Sequence, residues 1–433
     1  MNRKILFCAF FTLALIACSD NGNNPPPGPE PGPGPGPGPG PEPGGDEGPY
    51  IYFPSEQKPW AVDSRYGEWK AIYYRTIEQE RELNDEEDGR KASFSANAEG
   101  SARIRFDAGN TCQVNGTPLN GVCTVSEGLG YGMLITLFQD DEDAFRRLWK
   151  YSKFRQGASG TNYLMDWKFR TFIYGPNSDG AGSATDADLD AATALILGYR
   201  KWGDQEMLNN ALQIAADIYN LEIRASNKLI MPGNTPMWKN ADSYNPSYFS
   251  PVAFRLFAEY DSGRDWNAVL DANYEWLERI SANGNLVPDW TNSEGVPQAP
   301  PNGSATATFR QYYYESVRVP WRLAWDQAWY DEHRAKTILN RFAAFVVEQT
   351  GGNPSDVNNR YNYTGSQPNK TSNNIMAQQA SLCATGLTSP DYVNWLNACN
   401  TVIADTPITN FSYFHHILQV MYAQLLNGKY VKP

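Results

Sequence analysis

Histidine is scarce in this chain: three among 433 residues, His333, His415 and His416. No Cys/His grouping has the spacing of zinc ligands, so no transition-metal centre is expected. The glycine-rich loops that cradle phosphates are missing too, although glycine itself is plentiful. Positive charge is in deficit, with 36 Lys and Arg against 48 Asp and Glu and a formal net charge of −12. A nucleic acid would need a basic face, and this balance argues against such a partner. Strand-like alternation is sparse and short. With no metal, cofactor or phosphate loop expected, chemistry would fall to carboxylates organised by aromatic rings.

Aromatics are what the chain has in quantity, 13 Trp, 25 Tyr and 19 Phe, or 13% of its residues. Many stand beside polar or charged residues rather than inside apolar runs. Flat rings in a cleft stack on the apolar faces of sugars while carboxylates and amides bind the hydroxyls, so a carbohydrate is the favoured partner class. For any single ring, burial in the core is the commoner fate.

The first fifty residues read as a delivery system. Arg3 and Lys4 precede an apolar run, Ile5 to Ala17, which is too short to span a bilayer and matches a secretory signal. Leu15-Ile16-Ala17-Cys18 resembles the lipobox of bacterial lipoproteins, which implies removal of residues 1–17 and acylation of Cys18. An ordinary signal with an incidental cysteine is the alternative. Pro25 to Gly48 is a Gly/Pro repeat that cannot pack a core and makes a stiff spacer. The expectation is an acylated Cys and spacer over 18–48 and one large domain over 49–433. That domain would be a monomer, touching a membrane only through its lipid, at the cell surface or the periplasmic face of the outer membrane. Of the six cysteines, Cys112, Cys123, Cys383 and Cys399 then remain in the domain. Cys112–Cys123 with Cys383–Cys399 is the simplest of three pairings, and free buried thiols are the alternative.

Helical spacing recurs at Leu208, Leu212, Ala215 and Tyr219; at Trp266, Val269, Leu270, Asn273 and Leu277; at Ile338, Leu339, Phe342 and Phe345; and at Ile417, Val420, Met421 and Leu425. Helices joined by long aromatic and Gly/Asn-rich loops suggest an all-α ring of helical hairpins with a cleft at one end. Periodicity alone does not separate that ring from an open solenoid.

Three constellations carry the chemistry. In S-A-T-D-A-D-L-D, Asp186, Asp188 and Asp190 crowd the start of an apolar helix, more carboxylate than a helix N-terminus calls for. At least one should face a cleft; Asp190 is assigned to the helix start. Ser126-Glu127-Gly128-Leu129-Gly130-Tyr131-Gly132-Met133 places an acid among glycines before a helix expected from Met133. Those glycines would let a ligand approach the backbone. A carboxyl held against Tyr131 in a partly dry pocket would have a raised pKa and could act as general acid. In Tyr312-Tyr313-Tyr314-Glu315-Ser316-Val317-Arg318, the arginine could pair with Glu315 and hold it ionised, as a base requires. Each motif also has a plain structural reading, as helix cap or surface ion pair.

In order along the chain, the S-E-G-x-G-Y-G-M segment, Leu164-Met165-Asp166-Trp167-Lys168, Ala184-Thr185-Asp186-Ala187-Asp188 and the segment Tyr314 to Pro320 resemble the signatures of glycoside hydrolase family eight. The resemblance implies an (α/α)6 barrel and inverting hydrolysis of β-linked glycans in an open cleft. It implies Glu127 as general acid, Asp186 as the carboxylate that holds the distorted sugar, with Asp188 in support, and Glu315 as base. The family usually has Asp where Glu315 stands, which adds a methylene of reach. Asp326 is the backup base. Tyr131, Trp167, Tyr248, Trp290, Arg318 and Trp321 are the expected substrate-binding residues. A β-1,4-linked glucan is favoured, as for an endoglucanase or mixed-linkage glucanase; xylan and chitosan are the alternatives, as is a glycan-binding lipoprotein that has lost hydrolysis. Endo and exo action are both open.

Overall fold

Two kinds of helix alternate along the chain, and the contrast between them builds the architecture. One kind is buried over most of its surface: α3 (Ser126–Phe138), α5 (Thr185–Trp202), α8 (Pro251–Tyr260), α10 (Val319–Tyr330), α12 (Met376–Ala384) and α14 (Tyr413–Leu426). In α3 every residue but Glu127 is buried, and in α12 every residue is. Such helices can only exist surrounded by protein. The other kind buries one stripe: α1 (Pro59–Tyr73), α4 (Glu142–Arg155), α6 (Gln205–Leu221), α9 (Trp266–Ala282), α11 (His333–Thr350) and α13 (Val393–Asp405). In α9 Trp266, Val269, Leu270, Asn273 and Leu277 are buried, as the spacing predicts, together with Tyr274, Trp276, Ile280 and Ser281.

The computed structural model describes residues 50–84, 98–106, 112–114, 117–119, 123–157, 163–170, 178–301, 307–365 and 375–433. Within it the buried helices pack in a closed ring, α3 on α5, then α8, α10, α12, α14 and back to α3. The striped helices α4, α6, α9, α11, α13 and α1 back them one for one. The architecture is an (α/α)6 barrel, and closure of the ring settles the choice against an open solenoid.

Most turns from inner to outer helix are short. Gly203, in the left-handed region at φ 72°, ends α5, and Asp204 at once caps α6 through Glu206 N at 3.0 Å. Asp141 and Asp265 cap α4 and α9 in the same way. The returns from outer to inner helices are long, and among the described residues they hold α2 (Ile77–Asn84), α7 (Pro236–Asn240) and nine short strands. β1 (Tyr74–Thr76) pairs with β2 (Ala102–Ile104), β3 (Cys112–Val114) with β4 (Thr117–Leu119), and β8 (Gln311–Tyr312) with β9 (Tyr361–Asn362). β5 (Cys123–Val125), β6 (Lys168–Arg170) and β7 (Ser178–Gly180) form an antiparallel sheet that delivers the chain into the N-termini of α3 and α5. The long loops therefore gather at the N-terminal ends of the inner helices, where free N–H groups favour negative charge.

Residues 50–58 lie across the opposite end. Tyr52 N donates to Leu387 O beyond α12, Gln327 near the end of α10 donates to Tyr50 O, and Lys58 N donates to Asn427 beyond α14. Cys383 and Cys399 are joined by a disulfide between α12 and α13. Cys123 is disulfide-bonded as well; the side chain of Cys112, its expected partner, lies outside the described residues, as do residues 1–49 with Cys18.

Candidate active site

The helix expected from Met133 begins at Ser126, so Glu127 sits in its first turn. The three glycines that follow do not face a ligand. A Cβ on Gly130 would come within 2.9 Å of Asp190 Cβ and 3.0 Å of Ala187 O, and one on Gly128 within 2.8 Å of the Tyr413 hydroxyl. Their lack of a side chain lets α5 and α14 close on α3 and brings three helix N-termini together.

At the centre of those termini lies Arg318, on the 3-10 turn Ser316–Arg318 that feeds α10, with its side chain 2% exposed. Its Nη1 donates to Glu127 Oε2 at 2.6 Å, to Asp186 Oδ2 at 2.9 Å and to the Tyr131 hydroxyl at 3.4 Å. Its Nη2 donates to Glu315 Oε2. One cation thus faces three carboxylates. Glu127 also accepts from the Tyr413 hydroxyl at 3.1 Å, and Glu315 from Asn245 Nδ2 at 2.8 Å. The Tyr248 ring lies 5.4 Å from the guanidinium carbon.

The electrostatics follow from burial and from this excess of negative charge. Burial pushes the Glu127 carboxyl up to about 7; Arg318 opposes the rise, while Asp186 and Glu315 add to it. Burial likewise lifts Asp186 to about 6, again against Arg318. Glu127 is therefore a carboxyl that can carry a proton near neutral pH, with a fifth of its side chain open to solvent.

The Glu315 turn is clamped by Asp289. Its Oδ1 accepts from Tyr313 N at 2.9 Å, Ser316 N at 3.0 Å and Ser316 Oγ at 2.7 Å. Asn245 is oriented by Ser247, which donates to its Oδ1 through both N and Oγ. Asp289, Asn245 and Tyr413 were not visible as site residues in the sequence. Asp289 had one signal, its place beside Trp290 in Pro288-Asp289-Trp290; the other two had none.

Among the expected substrate-binding residues, Trp167 is 43% exposed at the cleft end, between Ser126 N, which its carbonyl accepts from at 3.0 Å, and Gly182 O. Its indole lies on Gly180, where any Cβ would collide with the ring at 2.1 Å. Trp290 is half-buried and stacks on Trp238 with ring centroids 5.5 Å apart. Tyr314 adds a ring that is 42% exposed.

Several expectations need correction. Trp321 is fully buried, donating to the Tyr430 hydroxyl at 3.0 Å and stacking on Trp325, so it is core. Tyr131 is also fully buried, beneath Arg318 and edge-on to Trp321, and offers no face to a sugar. Arg318 is saturated by carboxylates and positions them instead of reaching substrate. Asp188 is wholly buried, with Oδ1 accepting from Met165 N at 3.2 Å. Asp190 is no helix cap: it forms a two-pronged ion pair with Arg322 at 2.5 and 2.9 Å inside the barrel. Asp326 is bound by Arg255 and Tyr274 with no exposure, which removes it as a base. Among the described residues no cluster of His, Cys, Asp or Glu is grouped to hold a metal ion.

The family model of the glycosyl hydrolases family 8 matches residues 108–429, three quarters of the chain. The chain belongs to glycosyl hydrolase family 8. Endoglucanase 2 of Ruminiclostridium josui is 31% identical over 313 residues, covering 71% of this chain and 64% of its own length. Endoglucanase C of Ruminiclostridium cellulolyticum is 28% identical over 384 residues, covering 87% of this chain and 78% of its own. The fold is shared with the β-1,3-1,4-glucanase of Paenibacillus sp. X4, at a TM-score of 0.73 and 23% identity over 88% of this chain and 96% of that one. The family 8 chain thus spans about two thirds of the length of the first of these relatives.

Proposed function

We propose that this family 8 protein is an inverting glycoside hydrolase acting on β-1,4-linked glucan, cellulosic or mixed-linkage. The observation that carries the reading is the Arg318 hub: one buried guanidinium that binds Glu127, Asp186 and Glu315 at the mouth of the barrel, with Glu127 lifted to about 7. In the reaction Glu127 gives its proton to the glycosidic oxygen as the C–O bond breaks. A water on the other face of the ring attacks the anomeric carbon and loses its proton to Glu315, and the anomeric configuration inverts. Glu127 and Glu315 take different nitrogens of one guanidinium, which keeps the two carboxyls apart. Inverting hydrolysis uses separations of roughly 6.5–9.5 Å, enough for a water between. Asp186 is buried, its Oδ1 included, and bears on the point of cleavage through Arg318, which it shares with Glu127 and Glu315. Trp167 and the Trp238–Trp290 stack are platforms for flanking sugars.

Several relatives are named endoglucanases and one a β-glucanase, which supports glucan; one is named a reducing-end xylose-releasing exo-oligoxylanase, which keeps xylan as the second substrate. We further propose that Cys18 anchors the protein to a bacterial outer membrane. The lipobox-like Leu15-Ile16-Ala17-Cys18 and the Gly/Pro spacer after it support that reading.

Incubating the protein with cellooligosaccharides, mixed-linkage glucan, xylan and chitosan tests the reading. New reducing ends from the glucans, first appearing as the α-anomer by NMR, are expected. No cleavage of any of the four would reject the enzyme, and a β-anomer first product would reject inversion.

A further inference from the structure

Asn245 is a buried amide whose orientation the backbone decides. It stands just before the 3-10 turn Pro246–Tyr248 and has no exposure. An amide side chain can present either its oxygen or its nitrogen, but one neighbour here is the N–H of Ser247, which can only donate. Asn245 Oδ1 therefore faces Ser247, accepting from its N at 3.0 Å and from its Oγ at 2.7 Å. Nδ2 is left to point the other way, and it donates to Glu315 Oε2 at 2.8 Å. The turn is held in place from both sides. Arg322 Nε donates to Ser247 O at 2.8 Å, and Tyr244 exchanges backbone hydrogen bonds of 2.7 and 3.0 Å with Thr291.

The two oxygens of Glu315 are consequently unlike. Oε2 accepts from Arg318 Nη2 as well as from Asn245, so both of its lone pairs are engaged. Oε1 has no donor among the described residues, and the side chain is 30% exposed. Asp289 meanwhile clamps the backbone on either side of Glu315, through Tyr313 N and Ser316 N. Main chain and side chain of the base are thus held by different residues, Asp289 and Asn245, on two stretches joined by the Tyr244–Thr291 pairing.

We propose that Asn245 is a positioning residue for the base: with Arg318 it occupies Oε2, so that Oε1 is the oxygen that receives the proton of the attacking water. The inference deepens the hydrolase reading and rests on its assignment of Glu315 as base. The plain alternative is that Asn245 only caps the 3-10 turn through Oδ1. Aspartate or serine would cap it equally well, since each offers an oxygen to the Ser247 N–H. The two accounts therefore part at a single group, the amide NH2.

Asn245→Asp turns that group into an oxygen and keeps the cap; Asn245→Ser keeps the cap and is too short to reach Glu315. The other ionisable groups facing Glu315 are Arg318, Glu127 and Asp186 around the guanidinium, Asp289 behind the turn, and Tyr248. Neither variant alters them. On glucan, kcat should fall roughly ten- to a hundredfold in Asn245→Asp and less in Asn245→Ser, with KM within about twofold of the parent in both. Carbon-13 NMR of the Glu315 side-chain carboxyl, assigned by its absence in Glu315→Gln, supplies a readout that capping would not move. That carboxyl should take up its proton at a higher pH in Asn245→Asp than in the parent, because a donor to the ionised form has become a like charge. Parental kcat with an unmoved titration in Asn245→Asp would overturn the proposal, as would a fall in kcat with an unmoved titration. Should the Asp variant fail to fold, Asn245→Ser decides, and parental kcat there would overturn it. A moved titration with parental kcat would uphold the contact and overturn Glu315 as base. Absence of glycan cleavage in the parent would count against the hydrolase reading alone, and the titration would still test the contact.

Discussion

Arg318 and Arg322 stand one helical turn apart and face Asp186 and Asp190, themselves one turn apart on α5, yet the two ends of this ladder behave differently. Arg322 is matched one to one: Asp190 takes two hydrogen bonds, and Ser247 O and Ser250 Oγ take others, with no exposure at either end of the pair. Arg318 is oversubscribed, with three carboxylates for one positive charge and a fifth to a third of two of them open to the cleft. The matched pair can only hold the helices together. The oversubscribed one leaves some carboxyl short of compensation, and burial together with that shortage lets Glu127 keep a proton near neutrality. Structure and chemistry here use the same residue types and differ in stoichiometry and exposure.

Breaking each end should separate those roles. The largest effect is expected from Glu127→Gln, which removes the acid and should lower kcat on glucan by about 10²–10⁴-fold while the thermal midpoint changes little; general acid catalysis is worth that much. Asp190→Ala should do the reverse. It strands a buried guanidinium, which costs about 3–5 kcal/mol, and denaturant unfolding would register this whatever happens to activity. If Asp190→Ala abolished turnover in a protein of parental stability, the division between the two arginines would be wrong.

A smaller effect tests the cleft wall. Trp167→Ala should raise KM by up to roughly tenfold, the worth of one ring contact of ~0.5–1.5 kcal/mol. Gly180→Ala should mimic it, since its methyl occupies the place of the indole. The smallest is a matter of slope. With the Glu127 carboxyl raised from 4.5 to about 7, the folded protein binds a proton there that the unfolded chain has lost. Its contribution to stability is full below about pH 4.5 and falls away as pH rises to about 7. Subtracting the Glu127→Gln unfolding series from the parental one should reveal that decline.

The outer wall of the barrel was legible because amphipathic helices announce their stripe: Leu208, Ala215, Trp266, Leu277, Ile338 and Phe342 all turn inward as the spacing predicts. The inner helices gave less, since a helix buried all round has no stripe, and α3 was placed seven residues late because its glycines looked like a loop. They are contact points between helices, a role visible only once α5 and α14 are in place. Glu127, Asp186, Glu315 and Arg318 could be named from motifs, and the structure brings them together. What pattern could not supply was the sharing of Arg318, because it joins residues 191 and 132 positions apart. Aromatics misled for the opposite reason: Tyr131 and Trp321 sit beside the reacting groups in sequence but beneath them in space.

The central claim is that burial beside Asp186 and Glu315, only partly offset by Arg318, lets Glu127 carry a proton near neutral pH. Carbon-13 NMR of the Glu127 side-chain carboxyl, assigned by its absence in Glu127→Gln, measures this directly. The account predicts a titration midpoint near pH 7. A midpoint at the ordinary glutamate value of about 4.3 would contradict it.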